Sequence, residues 1–314
     1  MERRTALRNL LIAGAASIVP RRAVAKSQGE QQGFTIRSDV RLVVLDVSVK
    51  DRAGAFVPGL AKENFTVLEN GAPQTIVVFA REDLPVTVGI LVDESRSMAP
   101  KRSDVLTAAR TLIAEGNPRD ETFILKFNDT VWRALPEGEF FSSDIQLLTT
   151  ALYRGRPEGR TALYDAVFDG LNQLESGRRD KKALVLISDG GDNSSRHDRR
   201  EIFHKLDGSI ATIYAVGLYD EDDADRSPSL LKHLAGVSGG EAFFPSSSSD
   251  MTEICRRIAR DIRTRYTIGY VPQPSNGGPL RHIHVGVTAA SHARLVARAR
   301  TQYRYEDTPG AEGR

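Results

Sequence analysis

The sequence predicts an α/β fold in which a doubly wound, mostly parallel sheet is inserted in a discontinuous β-sandwich formed by the N- and C-terminal flanks. Three observations lead there. Residues 86–92 read Val-Thr-Val-Gly-Ile-Leu-Val, a nearly unbroken apolar run, as in a strand covered on both faces. Residues 183–188 and 211–218 repeat that character, with amphipathic helical spacing between. Residues 34–82 and 265–306 instead carry short alternating segments and turn signals, and neither flank has enough strands for a stable sheet alone.

Taken in order, residues 1–25 combine a basic head, a short apolar run and the small-residue tripeptide Ala23-Val24-Ala25. That is the plan of a signal peptide, with an apolar run too short to span a bilayer. Arg3-Arg4-x-x-Leu7-Arg8 resembles a twin-arginine export signal, with Ala6 where such signals commonly carry Phe. The plainer alternative is an ordinary secretion signal with a positive head. Both place the mature protein outside the cytoplasm, periplasmic or secreted. Residues 26–33 read as a linker, and residues 307–314 as a tail.

In the first flank, Val43, Leu45, Val47 and Val49 alternate on one face of a strand. Residues 51–54 form a turn, 61–64 one helical turn, and 65–69 a strand. Asn70-Gly71 is a strong hairpin signal, with residues 74–79 as the return strand. In the second flank, strands are expected at 266–271, 282–288 and 294–305, with a loop at 272–279. His282 and His284 share a strand face, and with His292 could bind a transition metal. The solvent face opposite Ile283, Val285 and Val287 is the better account of them.

The inserted domain spans residues 83–264. Its first strand breaks into Asp93-Glu-Ser95-Arg-Ser97. In open α/β sheets ligands sit beyond the carboxyl ends of strands. A carboxylate and two hydroxyls delivered there are hard donors suited to Mg²⁺, Mn²⁺ or Ca²⁺. Val105, Ala108, Ala109, Leu112 and Ile113 then mark a helix covering the sheet. Residues 122–127 form the next strand, and 130–134, with the single tryptophan Trp132, an antiparallel edge. Thr161 opens a helix bearing Leu163, Ala166, Val167, Gly170, Leu171 and Leu174, where its hydroxyl could serve as N-cap. Asp165 suits the positive end of that helix. Residues 183–188 are a buried strand ending at Asp189, whose Gly190-Gly191 would let the backbone approach a bound ion. Asp192 and Asn193 lie in the loop beyond. A fifth strand (211–218), a helix near 229–234, a short sixth strand (241–244) and a last helix complete the domain. Met251, Ile254, Cys255, Ile258, Ala259 and Ile262 share a stripe on that last helix, making Cys255 a buried, inert thiol. The acidic run 220–225 follows the fifth strand and reads as a solvated loop, with a second cation site as the alternative.

Asp93-x-Ser95-x-Ser97, Gly159-Arg-Thr161-Ala and Leu184-Val-Leu-Ile-Ser-Asp189-Gly-Gly together resemble the metal-ion-dependent adhesion site of the von Willebrand factor A-type fold. The resemblance implies five ligand positions, filled here by Asp93, Ser95, Ser97, Thr161 and Asp189. Residues 41–46, 65–71 and 266–270 also resemble phrases of the bacterial secreted "VWFA-related" family abundant in Acidobacteria. That likeness implies a fold and a compartment but no biochemical activity.

Composition bounds the function. The 314 residues are 40% hydrophobic and 27% charged, enough for two domains with cores. The formal charge is +2; residues 1–25 hold five Arg and one Glu, so the remainder carries −2. That balance makes no electrostatic case for nucleic acid. Cys255 is the single cysteine, so no intrachain disulfide can form. The reading that follows is an exported protein, not an enzyme, giving cation-dependent protein–protein binding. Its Mg²⁺, with Mn²⁺ or Ca²⁺ as alternatives, would be completed by a Glu or Asp of an envelope or extracellular partner. An aspartyl-phosphate phosphotransferase is the rival, weakened because Ser95 stands where such enzymes resemble D-x-D. A scaffold with a purely structural ion is the third reading.

Overall fold

The computed structural model describes residues 42–81, 83–219, 226–273, 278–290 and 294–305. Its centre is a six-stranded sheet of β5 (Val86–Asp93), β6 (Glu121–Phe127), β7 (Val131–Arg133), β8 (Lys181–Ser188), β9 (Thr212–Gly217) and β10 (Ala242–Phe243). The spatial order is β10-β9-β8-β5-β6-β7. All neighbours run parallel except the β6–β7 edge pair. Every residue of β5 is buried, because helices cover both faces of the sheet. Helix α1 (Arg102–Ala114) packs on α2 (Ile145–Leu152) and α6 (Ser248–Arg263). Helix α3 (Leu163–Glu175) packs on α4 (Arg199–Gly208) and over β5, β6 and β8, while α5 (Pro228–Ser238) packs on β9.

The strand order places β5 beside both β6 and β8. The chain winds outward from β5 through β6 to the edge, then returns to β8 and winds the other way. The connections leaving β5 and β8 therefore part company at their carboxyl ends, and this switch point is where open α/β sheets leave a crevice.

Two four-stranded antiparallel sheets make the sandwich. From the first flank come β1 (Val43–Asp51), β2 (Phe65–Glu69), β3 (Ala72–Gln74) and β4 (Ile76–Ala80). From the second come β11 (Tyr266–Tyr270), β12 (Leu280–Val287), β13 (Leu295–Arg298) and β14 (Gln302–Arg304). The sheets are ordered β13-β1-β11-β4 and β14-β12-β2-β3, so each takes strands from both flanks. Leu45, Val47 and Val49 of β1 face Phe65, Val67, Ile268, Ile283 and Val285 in one core. That core has a polar centre: Glu69 accepts from Tyr270 (2.6 Å), Tyr303 (2.8 Å) and Arg281 (2.5 Å), joining the two sheets.

Three sequence expectations need correction. The return strand expected at 74–79 is two strands: residues 72–74 pair with β2 across the Asn70-Gly71 turn, then residues 76–80 cross to β11 in the other sheet. Asn70 and Gly71 do adopt positive φ, 48° and 82°, as a tight hairpin turn requires. The single last strand expected at 294–305 also divides, β13 joining β1 and β14 joining β12. The break falls where residues 299–301 press against the end of α5. Gly239, left-handed at φ 81°, has no room for a Cβ against the Ala299–Arg300 backbone, and Thr301 N donates to Val237 O. Finally, Thr161 does not cap α3, whose N-cap is Ala162. His282 and His284 are exposed on β12 opposite buried Ile283 and Val285; His292, the signal segment and the acidic run 220–225 lie outside the described residues.

The inserted domain is bolted to the sandwich. Ser48 and Lys50 on the outer face of β1 reach Asp261 of α6, and Lys50 also reaches Glu241 (2.6 Å). Arg265, buried where α6 hands over to β11, donates to Asp46 O, Gly239 O, Asp261 and Tyr214.

Candidate metal centre

Asp93 ends β5 and Asp189 follows β8 directly, so both carboxylates emerge at the switch point. The parallel register sets Val92 beside Ile187, which brings Ser188 level with Asp93. Ser188 Oγ donates to Asp93 Oδ2 (2.7 Å) and accepts from Gly190 N (3.0 Å). Asp93 Oδ1 accepts Ser95 N at 2.8 Å, turning the chain so that both serine hydroxyls come back over the strand end. Ser95 Oγ and Ser97 Oγ stand 3.1 Å apart, and Ser97 Oγ donates to Asp189 Oδ2 at 2.6 Å. Four of the five residues read from the sequence are thus tied into one cluster of oxygen atoms.

Thr161, also buried, arrives on the neighbouring loop and is held by its backbone. Its N–H donates to Asn193 Oδ1 (2.9 Å), and its carbonyl accepts from Asn193 N and Ser194 N. The same loop is laced to the serine loop, Arg96 N donating to Gly159 O and Glu158 N to Glu94 O. All three segments therefore meet at one rim.

Burial and charge define what this cluster can hold. Asp93 and Asp189 are 2% and 3% exposed. Burial, and then the nearby Asp189 carboxylate, push the Asp93 carboxyl up to about 7. Two carboxylates crowded in a low-dielectric rim want a cation between them. Among the described residues no three His, Cys, Asp or Glu side chains group as a metal site; an ion placed here would meet two carboxylates and the hydroxyls of Ser95 and Ser97. That set suits a hard divalent ion better than a soft one.

Several supporting residues escaped the sequence reading. Glu94, between Asp93 and Ser95, is fully buried and bonded to Lys126, itself fully buried, and to Arg102 (2.9 Å). Lys126 also donates to Leu152 O and Arg154 O, and Arg102 to Gly155 O, so this ion cluster staples the serine loop to the loop after α2. Burial pulls the Lys126 ammonium down from its ordinary value, with Glu94 opposing. The N–H groups opening α3 are capped from outside, Tyr164 N by Asp192 Oδ1 and Asp165 N by Ser195 Oγ. Asp165 in return accepts from Arg196 N and His197 N, and His197 stacks on Phe168. Asp192 and Asn193, which the sequence places only in the loop beyond Asp189, cap α3 and hold the threonine loop respectively. Gly190 is also constrained by packing. At φ 84° it lies against Ser227 O and Leu231 of the α5 entry, which leave no space for a side chain, while Gly191 N binds Asp189 Oδ1. Cys255 is fully buried, and burial pushes its thiol up to about 12, as an inert core residue should show.

The von Willebrand factor type A domain model matches residues 87–257, more than half of the chain, and the chain belongs to that family. Among solved structures, a von Willebrand factor type A protein from Catenulispora acidiphila is similar at 14% identity and TM-score 0.50, covering 87% of this chain and 76% of its own. Proximal thread matrix protein 1 from mussel byssus, solved with a zinc-occupied MIDAS motif, is 17% identical with TM-score 0.47, over 58% of this chain and about half (49%) of that protein. BatB from Bacteroides thetaiotaomicron is 16% identical with TM-score 0.46, over 57% of this chain and 100% of its own. No curated protein matches this chain.

Proposed function

We propose that this chain is an exported binding protein whose type A domain captures a protein partner through a divalent cation. Asp93, Ser95, Ser97, Thr161 and Asp189 would hold the ion, Mg²⁺ first and Mn²⁺ or Ca²⁺ as alternatives. The observation that carries the reading is the Ser97 hydroxyl lying between Ser95 Oγ and Asp189 Oδ2 at the switch point, with Asp93 beside them. The ion, when bound, supplies an electrophilic position that a partner carboxylate can complete.

The chain's own residues do the rest. Ser188 and the Ser95 and Gly191 amides orient the two carboxylates. Glu94, Lys126 and Arg102 fix the serine loop, and Asn193 fixes the threonine loop. Arg96, exposed beside the inferred ligands, adds positive charge that favours an acidic partner. Export rests on the N-terminal segment; among the described residues no helix is long and apolar enough to cross a membrane.

Calorimetric titration of Mg²⁺ and Mn²⁺ into the wild type, Asp93→Ala and Thr161→Ala, joined to capture from envelope extract with Mg²⁺ or with EDTA, tests this. Saturable cation binding and EDTA-reversible capture in the wild type alone are expected. Equal capture by Asp93→Ala in EDTA would end the proposal.

A further inference from the structure

At the other pole of the sheet, the amino ends of the strands meet the outer face of β1 across a cleft of about 550 Å³. Its size and its place between two domains are those of a small-molecule site. Lys181 opens β8 there, 7% exposed, and its Nζ has no hydrogen-bond partner among the described residues. Asp46 Oδ1 is 3.8 Å away, within ion-pair range but too far for a hydrogen bond. Arg179 Nε is likewise buried without a hydrogen-bond partner among the described residues, although the same side chain donates to Arg119 O and lies near the Glu121 carboxylate. A buried ammonium with unused donors is costly unless something accepts from it.

Two other cations of the cleft hydrogen-bond to carbonyls, with Glu121, Asp180 and Glu175 near Lys182 and Asp207 near Arg300. Lys182 donates to the carbonyls of Leu174 and Gly177, and Arg300 to those of Gln302 and Asp207. With Arg178, five cationic side chains line the cleft against two carboxylates, Asp46 and Asp180. Beside this charge lies an apolar wall that water does not favour: Leu42, Val44, Leu84 and Ile210 are 42%, 43%, 37% and 51% exposed. The β8 strand alone separates Lys181 from the metal rim by roughly 25 Å, so the two sites are distinct.

We propose that this cleft binds a small amphiphilic anion, a carboxylate or phosphate group on a short apolar body. The oxyanion takes the unused donors of Lys181 and Arg179, and the body covers Ile210, Leu84 and Val44. Binding is independent of the divalent cation and of the reading of the metal centre.

Fluorescence titration of the full chain with 1-anilinonaphthalene-8-sulfonate, in EDTA and in Mg²⁺, tests it. The wild type should bind saturably in both buffers, and octanoate or octyl phosphate should displace the probe while octyl glucoside does not. Displacement by octanoate alone assigns a carboxylate ligand, and by octyl phosphate alone a phosphate ligand. Lys181→Gln and Ile210→Glu should each weaken binding at least about tenfold. Ile210→Glu alters a surface-exposed side chain, so an unchanged melting curve separates lost binding from lost fold. Absent probe binding, unchanged affinity in both variants, or equal displacement by octyl glucoside would overturn the proposal.

Discussion

Glu94 occupies a position between two inferred ligands and points the opposite way from them, into the Lys126 and Arg102 cations. Removing one member of a fully buried pair leaves an uncompensated charge, at a cost of about 3–5 kcal/mol. Lys126→Met is therefore expected to destabilise the protein by that order in urea denaturation, and the double variant Glu94→Gln/Lys126→Met to recover part of it. A loss under about 1 kcal/mol in the single variant would mean that Arg102 alone suffices. Ser188 acts on the other side of the strand end, aiming Asp93. Ser188→Ala should weaken Mn²⁺ binding by roughly 10–100-fold, as loss of a group behind a metal ligand does, with little change in melting temperature.

At the scale of elements, the loop after β8 does more than carry Asp189. It caps α3 through Asp192 and Ser195 and clamps Thr161 through Asn193. The two functions separate by mutation. Asp192→Ala strips a cap and should cost about 0.5–2 kcal/mol, read from thermal unfolding. Asn193→Ala should leave unfolding nearly unchanged yet reduce cation affinity by roughly tenfold, read by calorimetry. Equal effects of both variants on both readouts would show the loop acting as one unit. Neither α2 nor α4 was placed from the hydrophobic pattern. For α4 the signal was present in Asp198-x-x-Glu201, a capping box that the structure forms, and for α2 it was the Asp144 cap.

For the whole molecule, the decisive contact is the junction where Asp261 accepts from Ser48, Tyr214 and Arg265. Burial works against the Asp261 charge, but Arg265 and Lys50 prevail and hold its carboxyl well below the usual carboxylate range. A group depressed in the folded state contributes stability that is complete above its unfolded value, near pH 4, and fades as pH falls toward the folded one. Asp261→Asn should thus lose about 3–5 kcal/mol at pH 7, and the gap to wild type should narrow at pH 3, as urea midpoints at both pH values will show. A gap that stays constant with pH would assign the loss to shape rather than charge. The same junction ties the sandwich to the type A domain through Ser48, Lys50 and Arg265.

The sequence by itself determined the buried strands, their breaks into Asp93 and Asp189, and the need for both flanks to complete one sandwich. Those features are local: apolar runs, turn residues and strand ends are written in consecutive positions. Only the tertiary structure decided that residues 74–80 and 294–305 each change sheets, because the change depends on which strand edge and which helix end lie alongside. It alone brought Glu94 to Lys126, Asp192 to α3 and Asn193 to Thr161, pairings across 28–32 positions. A single chain read in order carries no trace of such pairings, since a buried charge is recognisable only through the partner that folding sets against it.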